Sequence, residues 1–330
     1  MDWNSIFTLT LEAAIGIDMV IYALAAIGVN IQFGYTGLLN FGQAGFLAVG
    51  AYGLAITVTY FDLPLWVGLG VGFGAAVLLA LLLGVPTLRL RADYLAIVTI
   101  AAAEIVRLTF RSTDLREVTG GSDGLQGFAG DFYDLNPYST GHYGVGPISF
   151  NQNEMWVLTV GWILVALSCG LVYLAMRSPW GRVLKAIRED EDAVRSLGKN
   201  VFSYKMQSLV FGGLIGALAG FLIALSRASV TPDYYSTDIT FFAFTIVILG
   251  GAARVFGPVV GSVFLWVVLV FTQTFLNEAI RNDVIPSWLI DSTDVGAVRL
   301  VLVGLGLMLL IIFRPQGIFG DKREIALDVR

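Results

Sequence analysis

Long apolar segments recur along the whole chain of 330 residues, and they restrict its fold more than any other feature. A helix needs about twenty apolar residues to cross about 30 Å of hydrocarbon. Windows of this kind, bounded by charged residues, proline or polar clusters, are 13–31, 37–60, 65–84, 94–111, 155–176, 205–226, 238–252, 258–277 and 297–313. Because 56% of the residues are hydrophobic and 14% charged, a soluble fold could not bury these windows. We therefore predict an all-α integral membrane protein.

The windows predict a polytopic bundle of about nine transmembrane helices, within a range of about eight to ten, and a single membrane domain over residues 1–330. The two short windows on either side of Arg254 form either two crossings or one re-entrant hairpin. Both alternatives leave the chain ends on the same sides. The first window also contains Asp18, which is unfavourable in hydrocarbon.

The basic residues predict how the chain is oriented, because membrane topology follows Lys and Arg in the loops. Fourteen of the 20 Lys and Arg residues fall on one side, which includes the loop 177–205 and the C-terminal residues. Three fall on the other side: Arg116, Arg227 and Arg281. We therefore expect an external N-terminus, a cytoplasmic C-terminus and an external loop 112–153 that carries short surface helices and meets external partners.

The cytoplasmic loop 177–205 has the pattern of an amphipathic helix. Its apolar residues recur at helical spacing: Val183, Leu184, Ile187, Val194 and Leu197. Its charged face contains Arg182, Lys185, Arg188, Glu189, Asp190, Glu191 and Asp192. Gly198 followed by Asn200 is typical of a helix end. Such a helix either enters a groove on a partner protein or lies on anionic lipid.

Within this loop, Asp192-Ala193-Val194 followed by Gly198 resembles the Glu-Ala-Ala-x-x-x-Gly coupling motif of ABC importer permeases, with conservative differences at the first and third positions. The wider loop is similar to that of LivM-type permease subunits of branched-chain amino acid ABC importers. Further segments that resemble this family are 33–44, 88–99 with 104–107, and 249–252 with 257–258. The resemblance covers most of the chain in the right order.

The resemblance implies a permease subunit of an ATP-driven importer in the bacterial cytoplasmic (inner) membrane. The implied partners are a LivH-type permease, two cytoplasmic ATPase subunits, an external solute-binding protein and membrane lipid, with no nucleic acid. ATP and Mg would bind the ATPase subunits, so no cofactor is expected on this chain. The resemblance assigns coupling to the ATPase to six residues: Arg182, Arg188, Glu191, Asp192, Ala193 and Gly198.

Polar side chains inside the apolar windows are candidates for a translocation pathway. Asn40 and Gln43 either line an aqueous path or form hydrogen bonds between helices, because buried amides need partners. Glu104 lies three residues before Arg107, so the two either pair on one helical face or Glu104 faces a cavity that receives an ammonium group.

Three glycines spaced four residues apart, Gly212, Gly216 and Gly220, predict a smooth helix face for close packing in the sixth window. They concern assembly of the bundle, and they carry no information about the substrate.

Catalytic and metal chemistry find little support in the sequence. Cys169 is the single cysteine and His142 the single histidine, which excludes a multi-histidine metal site within the chain, and no phosphate-binding Gly-x₄-Gly-Lys-Ser/Thr pattern occurs. We expect no catalytic residue.

A secondary transporter or channel without a motor and an intramembrane enzyme are the alternative classes. Urea, short amides, acidic or other neutral amino acids are the alternative substrates.

Overall fold

The structure, a computed structural model, describes residues 2–89, 92–146, 148–282, 294–313 and 317–318. The described residues are largely helical. The elements up to the long loop are α1 Trp3–Ile15, α2 Ile17–Val29, a π-helix Asn30–Tyr35, α3 Gln43–Thr59, α4 Leu65–Thr87, α5 Ala92–Arg111, α6 Arg116–Thr119, β1 Leu125–Gln126, α7 Gly130–Asp134, β2 His142–Val145 and β3 Ile148–Asn151. The remaining elements are α8 Gln152–Arg177, α9 Pro179–Glu189, α10 Glu191–Ser196, α11 Val201–Arg227, β4 Ser229–Val230, α12 Thr237–Gly250, α13 Gly257–Arg281 and α14 Val295–Phe313.

Each predicted apolar window overlaps one of these helices, so the prediction of a helical membrane protein is confirmed. Among the described residues, five helical segments are long and apolar enough to cross a membrane: Trp3–Tyr35, Leu65–Thr87, Gln152–Arg177, Val201–Arg227 and Gly257–Arg281. The number of crossings and the sidedness stay predictions. Leu90, Arg91 and the basic residues after Phe313 lie outside the described residues.

The first window, approximately 13–31, lies inside the apolar segment Trp3–Tyr35, and two helices meet within it. Gly16 has an extended backbone (ψ 171°) and ends α1 before α2 begins. A carboxylate oxygen of Asp2 caps α1 by accepting hydrogen bonds from the amides of Asn4 and Ser5. Helix α1 packs against α13, where the rings of Trp3 and Phe275 lie 6.3 Å apart.

The second window, approximately 37–60, begins six residues before its helix, because α3 begins only at Gln43. Helix α2 continues as the π-helix, and residues 37–42 then leave helical geometry. This interruption places non-helical backbone inside the bundle, where its polar groups need partners.

The centre of the bundle is formed by α2, α3 and α11. Most side chains of α11 are buried, and those of α2 and α3 supply much of the remaining core, including Met19, Leu24, Phe46 and Leu47. The outer helices α4, α8 and α14 expose large apolar side chains such as Trp66, Leu174, Leu302 and Leu309. Exposed apolar surface of this kind suits contact with lipid.

Loop 112–153 contains the short helices α6 and α7 and three short strands. Strand β1 pairs with β4, which ties this loop to the end of α11, and β2 pairs with β3 as a hairpin. The Tyr133 hydroxyl donates to the carbonyl of Leu225 at 2.8 Å, and burial raises the pKa of this hydroxyl. His142 lies exposed on the hairpin.

Candidate functional site

The interruption between α2 and α3 forms one side of the candidate site. The amide of Gly37 donates to the carbonyl of Phe33 at 3.1 Å, and that of Leu38 donates to Gln32 at 2.8 Å. Gly37 has a φ of +73°, a conformation that glycine adopts without steric cost. The chain can therefore leave the π-helix sharply and approach α3 from a new direction.

A buried amide network holds the interruption. The Asn40 side chain donates to the side-chain oxygen of Gln32 at 2.8 Å and accepts from the amide of Gly42 at 2.9 Å. Gln32 donates in turn to the carbonyl of Leu209 on α11 at 3.1 Å. These partners favour hydrogen bonding between segments as the role of Asn40, because its side chain already serves two internal groups.

Gln43 differs from Asn40 because only part of its amide is satisfied. The side chain is fully buried and donates weakly to the carbonyls of Gly212 and Ala25, at 3.3 and 3.5 Å. Its oxygen Oε1 has no hydrogen-bond partner among the residues that the structure describes. A buried carbonyl oxygen in this state can accept a hydrogen bond from water or from a cationic donor.

Asn30, at the start of the π-helix, connects this region to the turn between α12 and α13. Its Nδ2 donates to the carbonyl of Arg254 at 2.8 Å, and its Oδ1 accepts from the amide of Ala253 at 2.9 Å. Asn30 is 1% exposed. Asn30 and Gln32 were not among the predicted site residues. Asn30 lies inside the window 13–31 and thus carried the same signal as Asn40, whereas Gln32 lies just beyond the end of that window.

The opposite side of the site is the α9–α10 segment. The prediction of one continuous amphipathic helix is wrong, because Asp190 has an extended conformation (φ −154°, ψ 101°) and separates two helices. The Asp190 carboxylate caps α10 by accepting from the amide of Ala193 at 2.9 Å. The segment ends near Gly198, whose φ is +76°.

The six predicted coupling residues occupy different surroundings in this segment. Arg182, Asp192, Ala193 and Gly198 are exposed. Glu191 is partly buried and forms ion pairs with Lys205 and Arg195, the second at 2.8 Å. Arg195 also forms an ion pair with Asp192, at 2.7 Å. Arg188 donates to the carbonyl of Gly34 at 2.6 Å. Five of the six residues are thus exposed, and Arg188 is one of them although its guanidinium reaches the bundle; Glu191 is held to α11 by Lys205.

A cavity of about 630 Å³ separates the α9–α10 segment from the helix interruption. Residues from both sides line it: Thr36, Gly37, Leu38, Leu88, Arg89, Leu95, Ile187, Arg188, Glu191, Asp192, Arg195 and Lys205. The two elements therefore face each other across a polar space, and the Arg188–Gly34 hydrogen bond joins them at its edge.

Glu104 lies away from this cavity, on α5. Its carboxylate pairs with Arg107 at 2.5 Å, and Arg107 also contacts Asp233 at 3.1 Å. Arg111 adds a second cation to Asp233 at 3.3 Å. Pairing between Glu104 and Arg107 on one helical face therefore occurs, and the Glu104 side chain stays 36% exposed.

We expect that replacing Arg107 with methionine destabilises the protein more than replacing Glu104 with glutamine. Without Arg107, the Glu104 carboxylate keeps no ion-pair partner among the described residues, whereas Arg107 without Glu104 keeps Asp233. The expected losses are about 1–3 kcal/mol for Arg107→Met and under about 1 kcal/mol for Glu104→Gln. Thermal unfolding in detergent measures both, and equal losses would contradict the assignment of Asp233 as the second partner.

The glycines of α11 lie against backbone and polar side chains of α2 and α3. A Cβ at Gly212 would lie 2.6 Å from the carbonyl oxygen of Gly28, and one at Gly216 would lie 2.6 Å from Nε2 of Gln43. A Cβ at Gly220 would lie 2.1 Å from the carbonyl oxygen of Leu47. Helix α11 therefore packs against α2 and α3 at distances that leave no room for a side chain at these three positions.

The sequence matches the family model described as "Branched-chain amino acid transport system / permease component" over residues 13–313. The chain belongs to this permease family. This permease is 30% identical to the high-affinity branched-chain amino acid transport system permease protein LivM of Escherichia coli, over 92% of this chain and 69% of that protein.

Two further relatives extend the similarity of the permease. It is 26% identical to the probable branched-chain amino acid transport permease protein LivM of Methanocaldococcus jannaschii, over 92% of this chain and 91% of that one. It is 24% identical to the permease protein LivH of Salmonella typhimurium, over 80% of this chain and 85% of that one. Among solved structures, PsaBC from Streptococcus pneumoniae in complex with Fab covers 94% of both chains at 14% identity, with a TM-score of 0.43.

Proposed function

We propose that this chain is the membrane-spanning subunit of an ATP-driven importer for branched-chain or other neutral amino acids. The α9–α10 segment carries the proposal, because it combines a buried apolar side with an exposed end. Leu184, Ile187 and Val194 are buried, whereas Leu197 is 79% exposed. An exposed leucine next to charged residues suits a groove on a soluble partner.

The proposed topology has about nine crossings, an external N-terminus and a cytoplasmic C-terminus, in a bacterial inner membrane. The pair α12 and α13 has two possible arrangements, because α12 has 14 residues and reaches about 21 Å. That length is shorter than the hydrocarbon thickness of about 30 Å. Helix α12 either crosses with its flanking residues or forms part of a re-entrant hairpin.

The proposed assembly contains a LivH-type permease, two ATPase subunits that hold ATP and Mg, and an external solute-binding protein. Similarity to both LivM and LivH relatives supports the pairing of two related permeases. Exposed residues of α9 and α10, including Arg182, Asp192 and Ala193, would contact an ATPase subunit. Loop 112–153 would contact the solute-binding protein.

The translocation pathway would pass near Gln43, since its buried oxygen Oε1 can accept a hydrogen bond. Glu104 is a second candidate, because its partly exposed carboxylate lies on a face of α5 that also exposes Ile97 and Ile105. A charged pair is costly on a lipid-facing surface, so this face suits a partner permease or an aqueous path. Urea, short amides and acidic amino acids are the alternative substrates.

Replacing Leu197 with glutamate tests the proposal, because this exposed side chain contributes little to the fold of the permease. The chain would be co-expressed with its cognate permease, ATPase and binding-protein partners and purified through a tag. We expect Leu197→Glu to abolish co-purification of the ATPase subunits, and Asp192→Ala with Gly198→Ala to lower stimulation of ATP hydrolysis by the loaded binding protein. Leu135→Glu is the matched control for co-purification of the ATPase subunits only, since Leu135 is 71% exposed but lies in loop 112–153 on the proposed external side.

The two function classes predict different outcomes for the unaltered protein. An importer retains its ATPase subunits and hydrolyses ATP faster when the binding protein carries its amino acid. If the chain purifies alone and moves solute down a gradient without ATP, the motor-independent transporter or channel replaces the importer.

A further inference from the structure

The C-terminal end of the π-helix exposes carbonyl groups that its own backbone does not satisfy, as every helix end does. The carbonyl of Ile31 accepts from the hydroxyls of Thr36 and Ser208, at 2.9 and 3.2 Å. The carbonyl of Gln32 accepts from the amide of Leu38. The carbonyl of Phe33 accepts from the amide of Gly37, and the carbonyl of Gly34 accepts from a side chain in a remote part of the sequence.

That side chain is Arg188, which donates from Nη1 to the Gly34 carbonyl at 2.6 Å across 154 positions of sequence. A cation at the C-terminal end of a helix also interacts favourably with the helix dipole. The contact is reinforced nearby, because Lys185 Nζ lies 5.8 Å from the ring centre of Tyr35. Helix α9 thus holds the end of the π-helix through two cations on one face.

The other contacts of the π-helix lead into the bundle. Gln32 joins Asn40 and α11, and Asn30 joins the turn between α12 and α13. A displacement of the π-helix would therefore change three sets of buried hydrogen bonds at once. Because residues 37–42 lack helical structure, the π-helix can shift without moving α3 as a rigid continuation.

We propose that Arg188 is a positioning residue that transmits movement of α9 to the π-helix and so to the interruption between α2 and α3. The inference rests on the proposed importer function and assigns Arg188 a role inside the permease instead of at the ATPase surface. Arg188 makes α9 and the π-helix move as one body, and Glu191 with Lys205 ties α10 to the start of α11.

Arg188→Ala is the main test, made in the complete importer reconstituted in proteoliposomes. We expect the ATPase subunits to remain bound and to hydrolyse ATP, whereas the number of amino acids transported per ATP falls about tenfold, the factor that a hydrogen bond to a charged group contributes to an equilibrium. Arg188→Lys should recover part of the ratio, since it keeps the charge and a donor. Arg177→Ala is the matched control, because its guanidinium packs on Tyr173 of its own helix.

Three further outcomes discriminate among the possibilities. If Arg188→Ala loses the ATPase subunits, Arg188 acts at the ATPase surface and the inference fails. If it transports with an unchanged ratio, the Gly34 contact is not used and the inference also fails. If even the unaltered chain binds no ATPase subunit, the importer function itself fails, which distinguishes that result from the first two.

Discussion

Replacing Gly220 with alanine is expected to destabilise the helix bundle by at least about 3 kcal/mol. The added Cβ would lie 2.1 Å from the carbonyl oxygen of Leu47, well inside van der Waals contact. Because the obstacle is backbone, no side-chain rotation relieves it, and α11 must move away from α3. The loss is measured as a lower unfolding temperature and a lower yield of monodisperse protein in detergent.

Gly170→Ala is the matched control for this substitution, because both glycines lie inside long helices. No described atom lies within 4 Å of a Cβ at Gly170, so alanine there should be neutral or stabilise the protein by up to about 1 kcal/mol through its higher helix propensity. Equal unfolding temperatures for the two variants would mean that α11 and α3 are not in backbone contact.

Replacing Asn30 with alanine is expected to cost about 2–4 kcal/mol, since both hydrogen bonds of a buried side chain disappear together. The amide of Ala253 loses its acceptor and the carbonyl of Arg254 loses the Asn30 donor, and both groups face a side chain that is 1% exposed. We expect a lower unfolding temperature and faster hydrogen exchange at the turn between α12 and α13, measured by mass spectrometry.

Asn282→Ala is the control for the loss of an amide, because Asn282 is exposed and its side chain bonds to Glu278 one turn away. A change within about 0.5 kcal/mol is expected there. If Asn30→Ala is equally mild and exchange at the turn is unchanged, Asn30 does not hold the two regions together.

Much of the fold could be predicted from the sequence because apolar length is a strong signal in membrane proteins. The helices α4, α5, α8, α11 and α13 begin and end within a few residues of their windows. The errors lie where backbone geometry changes inside an apolar stretch. Hydropathy does not reveal the extended backbone of Gly16 or the positive φ of Gly37, because neither conformation changes the free energy of transferring the side chains from water to hydrocarbon.

The candidate site could be predicted only in part. Asn40 and Gln43 stood out because buried amides need partners, and the α9–α10 segment stood out by its amphipathic pattern. The break at Asp190 was missed, although an aspartate that caps a helix is a local signal. The contact of Arg188 with Gly34 joins residues 154 positions apart, and no local pattern in one sequence encodes it.

Helix α11 is largely surrounded by other helices, and this burial determines which parts of the molecule the bilayer contacts directly. Its neighbours α4 and α8 present their apolar side chains outward, while α11 meets mostly other helices. A change in bilayer thickness or acyl-chain composition therefore acts on the outer helices first, and it reaches α11 only through tilting of its neighbours. Helix α11 follows directly after the α9–α10 segment in the chain. Because α11 is shielded from the surrounding lipid, contacts with other parts of the protein set the position of α11.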